Sequence, residues 1–396
     1  MQKSKFDFDQ IIDRSCTSSV KYGRRKEVFG TEDILPMWVA DMDFKSPPAV
    51  IEAAENLCKT GVFGYAFRPL AAIDAFIKWV DKNYNWVVKK EWISATPGIV
   101  AALPIAVRVY TSPGDKVLIQ TPVYPPFHTA IRDNERTVVS SPLRLEGDNW
   151  LIDWNDFEEK LKSDVKLFIL CSSHNPIGKI WSFEELEKMG NLCLKYGVTI
   201  FSDEIHADLA LYGNKHIPIA NVSEEISKIT VTAMAPSKTF NIAGMLNSVI
   251  ISSSENLMAK FNKEIWALHL DLGNIFAHNT MEVAYKSGEE WLKELKCYLE
   301  KNINYVDTFL KRHLPFIKMV KPQSSFLLWL DFRESGYTHE QVGERLIKLS
   351  KLGLNDGAEF GTEGIGFRRM NIAAPLSIVK EGMERLKIGF SKGDTV

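Results

Sequence analysis

The sequence lacks the cysteine patterns that accompany disulfide frameworks and zinc sites. It has five cysteines, an odd number, and none of them forms a CxxC pair: Cys16, Cys58, Cys171, Cys193 and Cys297. This spacing excludes a small disulfide-stapled protein and disfavours a cysteine-rich metal site. It is typical of a protein from a reducing compartment, and we expect a cytoplasmic location.

Long apolar runs and an excess of basic residues are also missing. No segment approaches the ~20 consecutive apolar residues of a membrane-spanning helix. The sequence opens with MQKSKFDFDQ, which carries charges in place of the apolar core of a signal peptide. The formal net charge is -2, from 48 basic and 50 acidic side chains. We therefore expect neither a membrane nor a nucleic acid as partner.

What the sequence does contain is an alternation of short apolar runs and longer amphipathic segments. The runs KVLIQTP, VKLFILCS, VTIFSDE, ITVTAMA and NSVIISS predict strands. Segments such as SFEELEKMGNLCLKYG predict helices, and this one opens with the capping-box pattern of Ser182 and Glu185. Strand and helix in alternation predict an α/β fold whose mostly parallel sheet is covered on both faces.

The character of the sequence changes near both ends, which predicts three parts. Residues 1–45 are irregular and polar, and we expect them to form an arm that joins the smaller domain. Residues 46–285 contain the strand–helix alternation and should form the large domain. Residues 286–396 should form a smaller α+β domain, because a long helical stretch ending in FLKRH leads there to the strand candidate PQSSFLLWLDF.

Polar and aromatic residues follow the predicted strands, where ligands collect in sheets of this kind. In chain order they are Tyr124, Asn175, Asp203 and Lys238. Gly98 precedes an apolar helical pattern, and a helix N-terminus offers free N–H groups to a phosphate. Each residue alone has an ordinary explanation as an exposed side chain, a cap, a turn or a packing ring. Together they predict a pocket for an aromatic, phosphorylated cofactor that forms a Schiff base with a lysine.

Seven motifs connect this pocket to a known family. WVADMDF, FGYAF, TPVYPPF, SSHNPIGKIW, SDEIHADL, APSKTFNIAG and RRMNIAAP follow one another between residues 38 and 375. In them the sequence resembles the fold-type I pyridoxal-phosphate (PLP) enzymes of the aspartate aminotransferase superfamily. The resemblance is greatest to the MalY/PatB branch of cystathionine β-lyases, which includes cystalysin-like C–S lyases. It implies PLP as cofactor, bound by the large domain.

The resemblance also implies roles around the cofactor ring. Lys238 would hold the cofactor covalently and act as general base. Asp203 would pair with the pyridine nitrogen and keep it protonated, so that the ring can accept electrons. Asn175 would donate to the phenolic oxygen, with a cis bond to Pro176. Tyr124 would stack on the ring face.

Further residues would bind the phosphate. The resemblance assigns the phosphate to the backbone amides of Ile99 and Val100 and to the hydroxyl of Ser237. It also assigns Tyr65 to this phosphate, reaching it from the neighbouring subunit, so a homodimer is implied.

The substrate would be bound through its α-carboxylate. Arg369, the second residue of the pair Arg368–Arg369, would bind that carboxylate bidentately. The backbone around Val39 and Ala40 would close the other side.

Three features depart from the wider superfamily. Many aminotransferases carry a phosphate-binding arginine shortly after the lysine, and KTFNIAGMLNSVII has none. His206 stands where many have a tyrosine bonded to the ring oxygen, and it could serve there or only pack. Ser324 stands where relatives often have glycine, and it could narrow the entrance or have no effect.

The branch-specific motifs favour β-elimination as the reaction. Substrates would be L-cystathionine, L-cysteine or related S-substituted cysteines, and the products a thiol or sulfide, pyruvate and ammonia. The alternatives are an amino acid aminotransferase and a regulator-binding protein with secondary lyase activity. A metal enzyme built on Asp203, His206 and Asp208 is disfavoured, because neither strand nor helix spacing aims all three at one ion. A nicotinamide site is disfavoured because no GxGxxG follows an early strand.

Overall fold

The computed structural model describes residues 5–391 of the chain. The strands in this range are β1 Leu35–Pro36, β2 Ile93–Thr96, β3 Lys116–Ile119, β4 Thr137–Ser140, β5 Leu143–Glu146, β6 Asn149–Ile152, β7 Val165–Cys171, β8 Thr199–Asp203, β9 Thr230–Met234, β10 Ser248–Ile251, β11 Lys318–Met319, β12 Leu327–Asp331, β13 Leu352–Gly353, β14 Asn355–Asp356 and β15 Phe367–Asn371.

The α-helices in the same range are α1 Val20–Gly23, α2 Arg25–Phe29, α3 Pro48–Thr60, α4 Leu70–Tyr84, α5 Ile99–Tyr110, α6 Pro125–Arg132, α7 Trp154–Lys162, α8 Phe183–Tyr196, α9 Glu224–Lys228, α10 Pro236–Thr239, α11 Glu255–Ala267, α12 Ile275–Ser287, α13 Glu289–His313, α14 His339–Lys348 and α15 Leu376–Phe390. None of the helices between residues 5 and 391 is long and apolar enough to cross a membrane.

A seven-stranded sheet forms the centre of the molecule, in the order β2-β10-β9-β8-β7-β3-β4. Strand β10 runs antiparallel to both of its neighbours, whereas β9, β8, β7, β3 and β4 pair in parallel. All five apolar runs that predicted strands are strands of this sheet. The prediction of a mostly parallel sheet is therefore confirmed.

Helices cover both faces of this sheet, which explains why its strands are apolar almost throughout. Alternate residues of β7 point to opposite faces. Leu167 and Ile169 pack in one buried cluster with residues of α5, α6 and α11. Phe168 and Leu170 pack in another cluster with residues of α7 and α8. A strand with water on one face would show polar residues at every second position.

Helix α8 begins as the sequence predicts. The backbone N–H of Glu185 donates to the Ser182 hydroxyl at 3.2 Å, and the Ser182 N–H donates to the Glu185 carboxylate at 2.9 Å. This reciprocal pair satisfies two of the N–H groups that a helix start leaves free. The capping box is therefore confirmed.

A second, antiparallel sheet lies towards the C-terminus, in the order β11-β12-β15-β14. The segment before residue 45 contributes β1, which pairs in parallel with β13. The long helical stretch predicted from the sequence is interrupted, because α12 ends at Ser287 and α13 begins at Glu289. At Gly288 between them, a Cβ atom would lie 2.4 Å from the ring of Phe240, so the close approach needs glycine. The proposed domain bounds at residues 45 and 285 stay predictions.

Candidate active site

The carboxyl ends of the parallel strands open on a cavity of about 470 Å³. Connections that leave β3, β7, β8 and β9 at this edge carry the polar residues singled out in the sequence. Eight of the predicted site residues line the cavity: Ala40, Ile99, Val100, Tyr124, Asn175, Asp203, Ser237 and Lys238. The structure thus brings together residues that are up to 198 positions apart in the chain.

Lys238 enters the cavity from α10, directly after β9. Its amine donates a hydrogen bond to the backbone carbonyl of Ala40. Within residues 5–391 no carboxylate forms an ion pair with it. Burial lowers the pKa of Lys238 to about 8, against the opposing influence of the Asp41 carboxylate. At neutral pH about a tenth of such amines are uncharged, which is the form that attacks a carbonyl carbon.

Asp203 ends β8 with its carboxyl group buried beside the cavity. One oxygen accepts a hydrogen bond of 3.1 Å from the backbone N–H of Ile205. Burial raises the pKa of Asp203 to about 7, and the neighbouring charge of Glu204 acts in the same direction. A buried carboxyl group of this kind gains from a cation placed opposite it. The protonated nitrogen of a pyridine ring is such a cation.

The start of α5 forms the part of the cavity that fits a phosphate. Gly98 holds φ at 144°, in a region that glycine tolerates, and no side chain caps the helix in the structure of residues 5–391. The N–H groups of a first helical turn have no partners within the helix. Ile99 and Val100 of this turn line the cavity, and so does Ser237. Uncapped N–H groups and the positive end of the helix dipole favour an anion.

Tyr124 and Asn175 line the same cavity and are bonded to each other through the backbone. The Tyr124 N–H donates to the Asn175 carbonyl at 3.1 Å, which joins the two loops that carry these residues. The Tyr124 ring is largely buried, and this burial raises the pKa of its hydroxyl. An aromatic ring and an amide at the strand ends match the contacts that a flat heteroaromatic ring requires.

The predicted cis bond between Asn175 and Pro176 is wrong. The cis peptide bonds in residues 5–391 are Thr121–Pro122 and Ser172–Ser173. A trans bond is the more stable form of most bonds that precede proline. In this loop it is compatible with a turn in which the N–H of Gly178 donates to the carbonyl of His174 at 2.8 Å.

Arg369 lies next to the cavity, behind Asn175. Its Nη1 donates to Asn175 Oδ1 at 3.0 Å, and its Nη2 donates to the Asn355 side chain at 2.7 Å and to the Trp38 carbonyl at 3.1 Å. No carboxylate of the described chain forms an ion pair with it, and its buried Nε has no hydrogen-bond partner. Burial lowers the pKa of Arg369 to about 10, so it is a cation at neutral pH. Such a group can accept a carboxylate from a ligand.

The neighbouring Arg368 has a different environment. It alternates with Arg369 on β15 and therefore points to the other side of the sheet. Its Nη1 lies 3.4 Å from the Asp356 carboxylate, and its Nη2 donates to the His339 carbonyl at 2.8 Å. Arg368 therefore has an acidic partner, whereas Arg369 has none among the described residues.

Two further predicted residues lie apart from the cavity lining. Tyr65 is 98% exposed on a segment without regular structure, so its side chain is almost free of contacts with the rest of residues 5–391. Ser324 is fully buried beneath the cavity, where its hydroxyl contacts the carbonyl of His206 at 3.4 Å. Because Ser324 is not among the lining residues, it does not narrow the entrance in this structure.

A family model described as aminotransferase class I and II matches residues 32–386 of the chain. The chain belongs to this aminotransferase family. Cystathionine beta-lyase PatB of Bacillus subtilis (strain 168) is 44% identical over 386 residues, which cover 97% of this chain and 100% of that protein.

Solved structures give the same assignment. A PLP-bound putative aminotransferase from Clostridium difficile 630 has a TM-score of 0.96 at 39% identity, covering 98% of this chain and 100% of its own. Cystalysin from Treponema denticola, which contains pyridoxal 5'-phosphate, has a TM-score of 0.94 at 34% identity, covering 97% of this chain and 98% of its own. The predicted fold class and the resemblance to PLP enzymes are confirmed.

His206 also lines the cavity, and the sequence left open whether it bonds the ring oxygen or only packs. Its Nδ1 lies 3.2 Å from the Ser325 hydroxyl, and its ring packs edge-on against Phe326. Burial lowers the pKa of His206 to about 3, so the ring is neutral. A neutral imidazole can donate or accept a hydrogen bond but carries no charge into the site.

Two asparagines of the quoted motifs have structural roles that sequence reasoning missed. Asn371 donates to the carbonyls of Val39 and Asp41 at 2.5 and 2.6 Å. Asn241 accepts from the Met42 N–H at 3.1 Å and donates to the carbonyl of the same residue at 3.1 Å. Both hold the segment whose Ala40 carbonyl meets Lys238. Both asparagines belong to the quoted motifs, but the sequence does not show with which backbone groups a side-chain amide will form hydrogen bonds.

Proposed function

We propose that this chain is a PLP-dependent C–S β-lyase acting on L-cystathionine, L-cysteine or related S-substituted cysteines. One observation carries the proposal. In a chain 44% identical to a protein named cystathionine beta-lyase, a lysine without an acidic partner shares a cavity with a buried carboxyl group and an uncapped helix start. Lys238, Asp203 and the first turn of α5 offer an amine, an acid and an anion site for the aldehyde, ring nitrogen and phosphate of PLP.

The chain's own residues can carry out the remaining steps. PLP, when bound, withdraws electrons from the α-carbon of an amino acid substrate. With its lowered pKa, Lys238 Nζ would take the α-proton once the substrate's amino group has replaced it at the cofactor aldehyde. Arg369 would bind the α-carboxylate, and Asp203 would balance positive charge on the cofactor ring. The C–S bond then breaks with its electron pair on sulfur, Nζ returns a proton to that sulfur, and the remaining fragment is hydrolysed to pyruvate and ammonia.

The test is pyruvate formation from L-cystathionine in the absence of any 2-oxo acid. We expect sustained, PLP-dependent pyruvate, abolished in Lys238→Ala and retained in Lys260→Ala, which removes an exposed lysine on α11. No pyruvate from cystathionine or from cysteine would exclude the lyase. Transamination is the second candidate, because the matching family model carries the name of aminotransferases. Adding 2-oxoglutarate and measuring glutamate would then detect it.

We also propose that the protein acts as a homodimer in the cytoplasm. Tyr65 lies on a segment that exposes other large apolar side chains, including Phe63 at 61% and Phe67 at 77%. Apolar side chains clustered on a surface favour burial against a partner. The cytoplasmic location is proposed from the odd number and wide spacing of the cysteines, which are typical of a reducing compartment.

A further inference from the structure

Arg68 is a largely buried cation that forms no ion pair with an acidic residue between positions 5 and 391. Its Nη2 donates to the Asn247 side chain at 2.6 Å and to the Ser248 carbonyl at 3.1 Å. Its Nε and Nη1 are buried and have no hydrogen-bond partner within the described chain. Burial lowers the pKa of Arg68 to about 10, so it remains charged at neutral pH.

Such an arrangement is costly for the folded protein. A buried charge that meets only neutral acceptors loses its hydration and gains no ion pair in return. Arg136 also meets only neutral acceptors, namely the hydroxyl and carbonyl of Thr111 and the carbonyl of Asn134, but it lies at the C-terminal end of α5. There the negative end of the helix dipole favours a cation. Within residues 5–391 Arg68 has no equivalent compensation, as expected if an anion binds near it.

Two paths connect Arg68 to the candidate active site. The first is direct, because Asn247, which accepts its hydrogen bond, lines the cavity. The second runs across β10 and β2, where Ser248 pairs with Thr96 and their hydroxyls lie 2.5 Å apart. The Thr96 hydroxyl donates to the carbonyl of Gly98 at 3.0 Å. Gly98 is the residue that opens the first turn of α5.

The position of Asn247 in the chain supports the same conclusion. No Lys, Arg or His lies between Lys238 and Lys260, so the stretch that follows Lys238 supplies no cation of its own. Leu246 and Asn247 of that stretch line the cavity instead. Arg68 reaches the cavity wall through Asn247, which accepts its hydrogen bond.

We propose that Arg68 supplies the positive charge that balances the phosphate dianion of the cofactor, acting through Asn247 and the β10–β2 edge. This inference rests on the proposed function. Arg68 is a positioning and charge-balancing residue, because it does not line the cavity itself and contacts Asn247, which does. A phosphate ester carries close to two negative charges at neutral pH, and the dipole of one helix balances only about half of one.

The test compares PLP with pyridoxal, which has the same ring and aldehyde but no phosphate. The full-length protein, freed of cofactor, is titrated with each ligand, and Kd is read from absorbance. The variants are Arg68→Gln, Arg68→Lys as the charge-conserving change, and Arg136→Gln as the matched control. We expect Arg68→Gln to weaken PLP binding at least about tenfold, which corresponds to 1.4 kcal/mol, and pyridoxal binding less than about twofold. Arg68→Lys should regain most of the PLP affinity, and Arg136→Gln should change neither ligand selectively.

Equal losses for PLP and pyridoxal in Arg68→Gln would overturn the inference, since they would indicate damage to the fold or to a subunit contact. Unchanged affinities for both ligands in Arg68→Gln would overturn it as well. If the wild-type protein bound no PLP, the proposed function and this inference would fail together. If Arg68→Gln failed to fold, Arg68→Lys would decide: loss of selectivity for PLP despite the retained charge would contradict a charge-balancing role.

Discussion

Arg369 Nη1 lies 3.0 Å from Asn175 Oδ1, which joins the residue expected to bind the substrate carboxylate to a residue expected to bind the cofactor ring. The two are 194 positions apart in the chain. Arg369 lies on β15 of the antiparallel sheet, and Asn175 lies in the loop that follows β7 of the parallel sheet. Changes at either residue should therefore affect both ligands to some degree.

The first prediction concerns the arginine pair. Arg369→Lys should lower kcat/KM for L-cystathionine about 10- to 100-fold, mainly through KM, because the bidentate pair with the carboxylate is lost. Arg368→Lys is the control, since Arg368 is already engaged with Asp356 and His339. It should lower the melting temperature and leave KM nearly unchanged. A rise in KM for Arg368→Lys alone would contradict the assignment of Arg369.

The second prediction concerns the amine of Lys238. Only the uncharged amine captures an aldehyde, so the rate of PLP binding by the cofactor-free protein should follow its deprotonation. With a pKa of about 8, the rate should rise about tenfold per pH unit below that value and level off above it. Stopped-flow absorbance measures this directly. A rate still rising steeply at about pH 10, as for an exposed lysine, would show that burial does not lower this pKa.

The third prediction concerns the stability of the cofactor-free protein. The pKa of Asp203 is about 7 in the folded chain and about 3.9 when unfolded, so the folded state binds the proton more tightly. This contribution to stability is present at low pH and is lost as pH rises towards about 7. Asp203→Asn removes the titration. The variant should melt at a higher temperature than wild type above about pH 7, with the difference shrinking towards about pH 4.

Added PLP supplies the control for this experiment. If the protonated ring nitrogen pairs with Asp203, PLP should raise the melting temperature of wild type more than that of Asp203→Asn at pH 8. Melting curves whose separation does not depend on pH would contradict the raised pKa. Equal stabilisation of both proteins by PLP would contradict the pairing.

The fourth prediction concerns Tyr65 and the dimer. If Tyr65 completes the site of the neighbouring subunit, Tyr65→Ala and Lys238→Ala should each be impaired as homodimers. Subunit exchange between them should restore activity, because a mixed dimer has one site with both residues intact. After equal mixing we expect about a quarter of the sites to be intact. No recovery, in a mixture shown by mass spectrometry to contain mixed dimers, would place Tyr65 in the site of its own chain or in none.

The strands of the central sheet could be predicted from the sequence because they are apolar on both faces. A run such as VKLFILC, apolar on both faces and too short for a buried helix, is typical of a central strand, and the residue that follows it lies at the carboxyl edge. Lys238, Asp203 and Asn175 were predictable for this reason. The interruption at Gly288 was not, because it depends on the Phe240 ring of a distant loop. Arg68 was missed for the same reason, since its lack of an acidic partner is visible only once neighbours from 179 positions away surround it.

The carbonyls of the segment from Trp38 to Asp41 are held by Lys238, Arg369 and Asn371, residues that the chain contains only much later. Asn371 is 332 positions from Val39. During translation, the segment therefore cannot form all of these hydrogen bonds until Asn371, near the end of the chain, has left the ribosome. A truncated product that ends before Asn371 could form much of the parallel sheet and still lack an assembled site. Cofactor binding by Lys238 in the geometry described here would then require that Asn371 has already been synthesised.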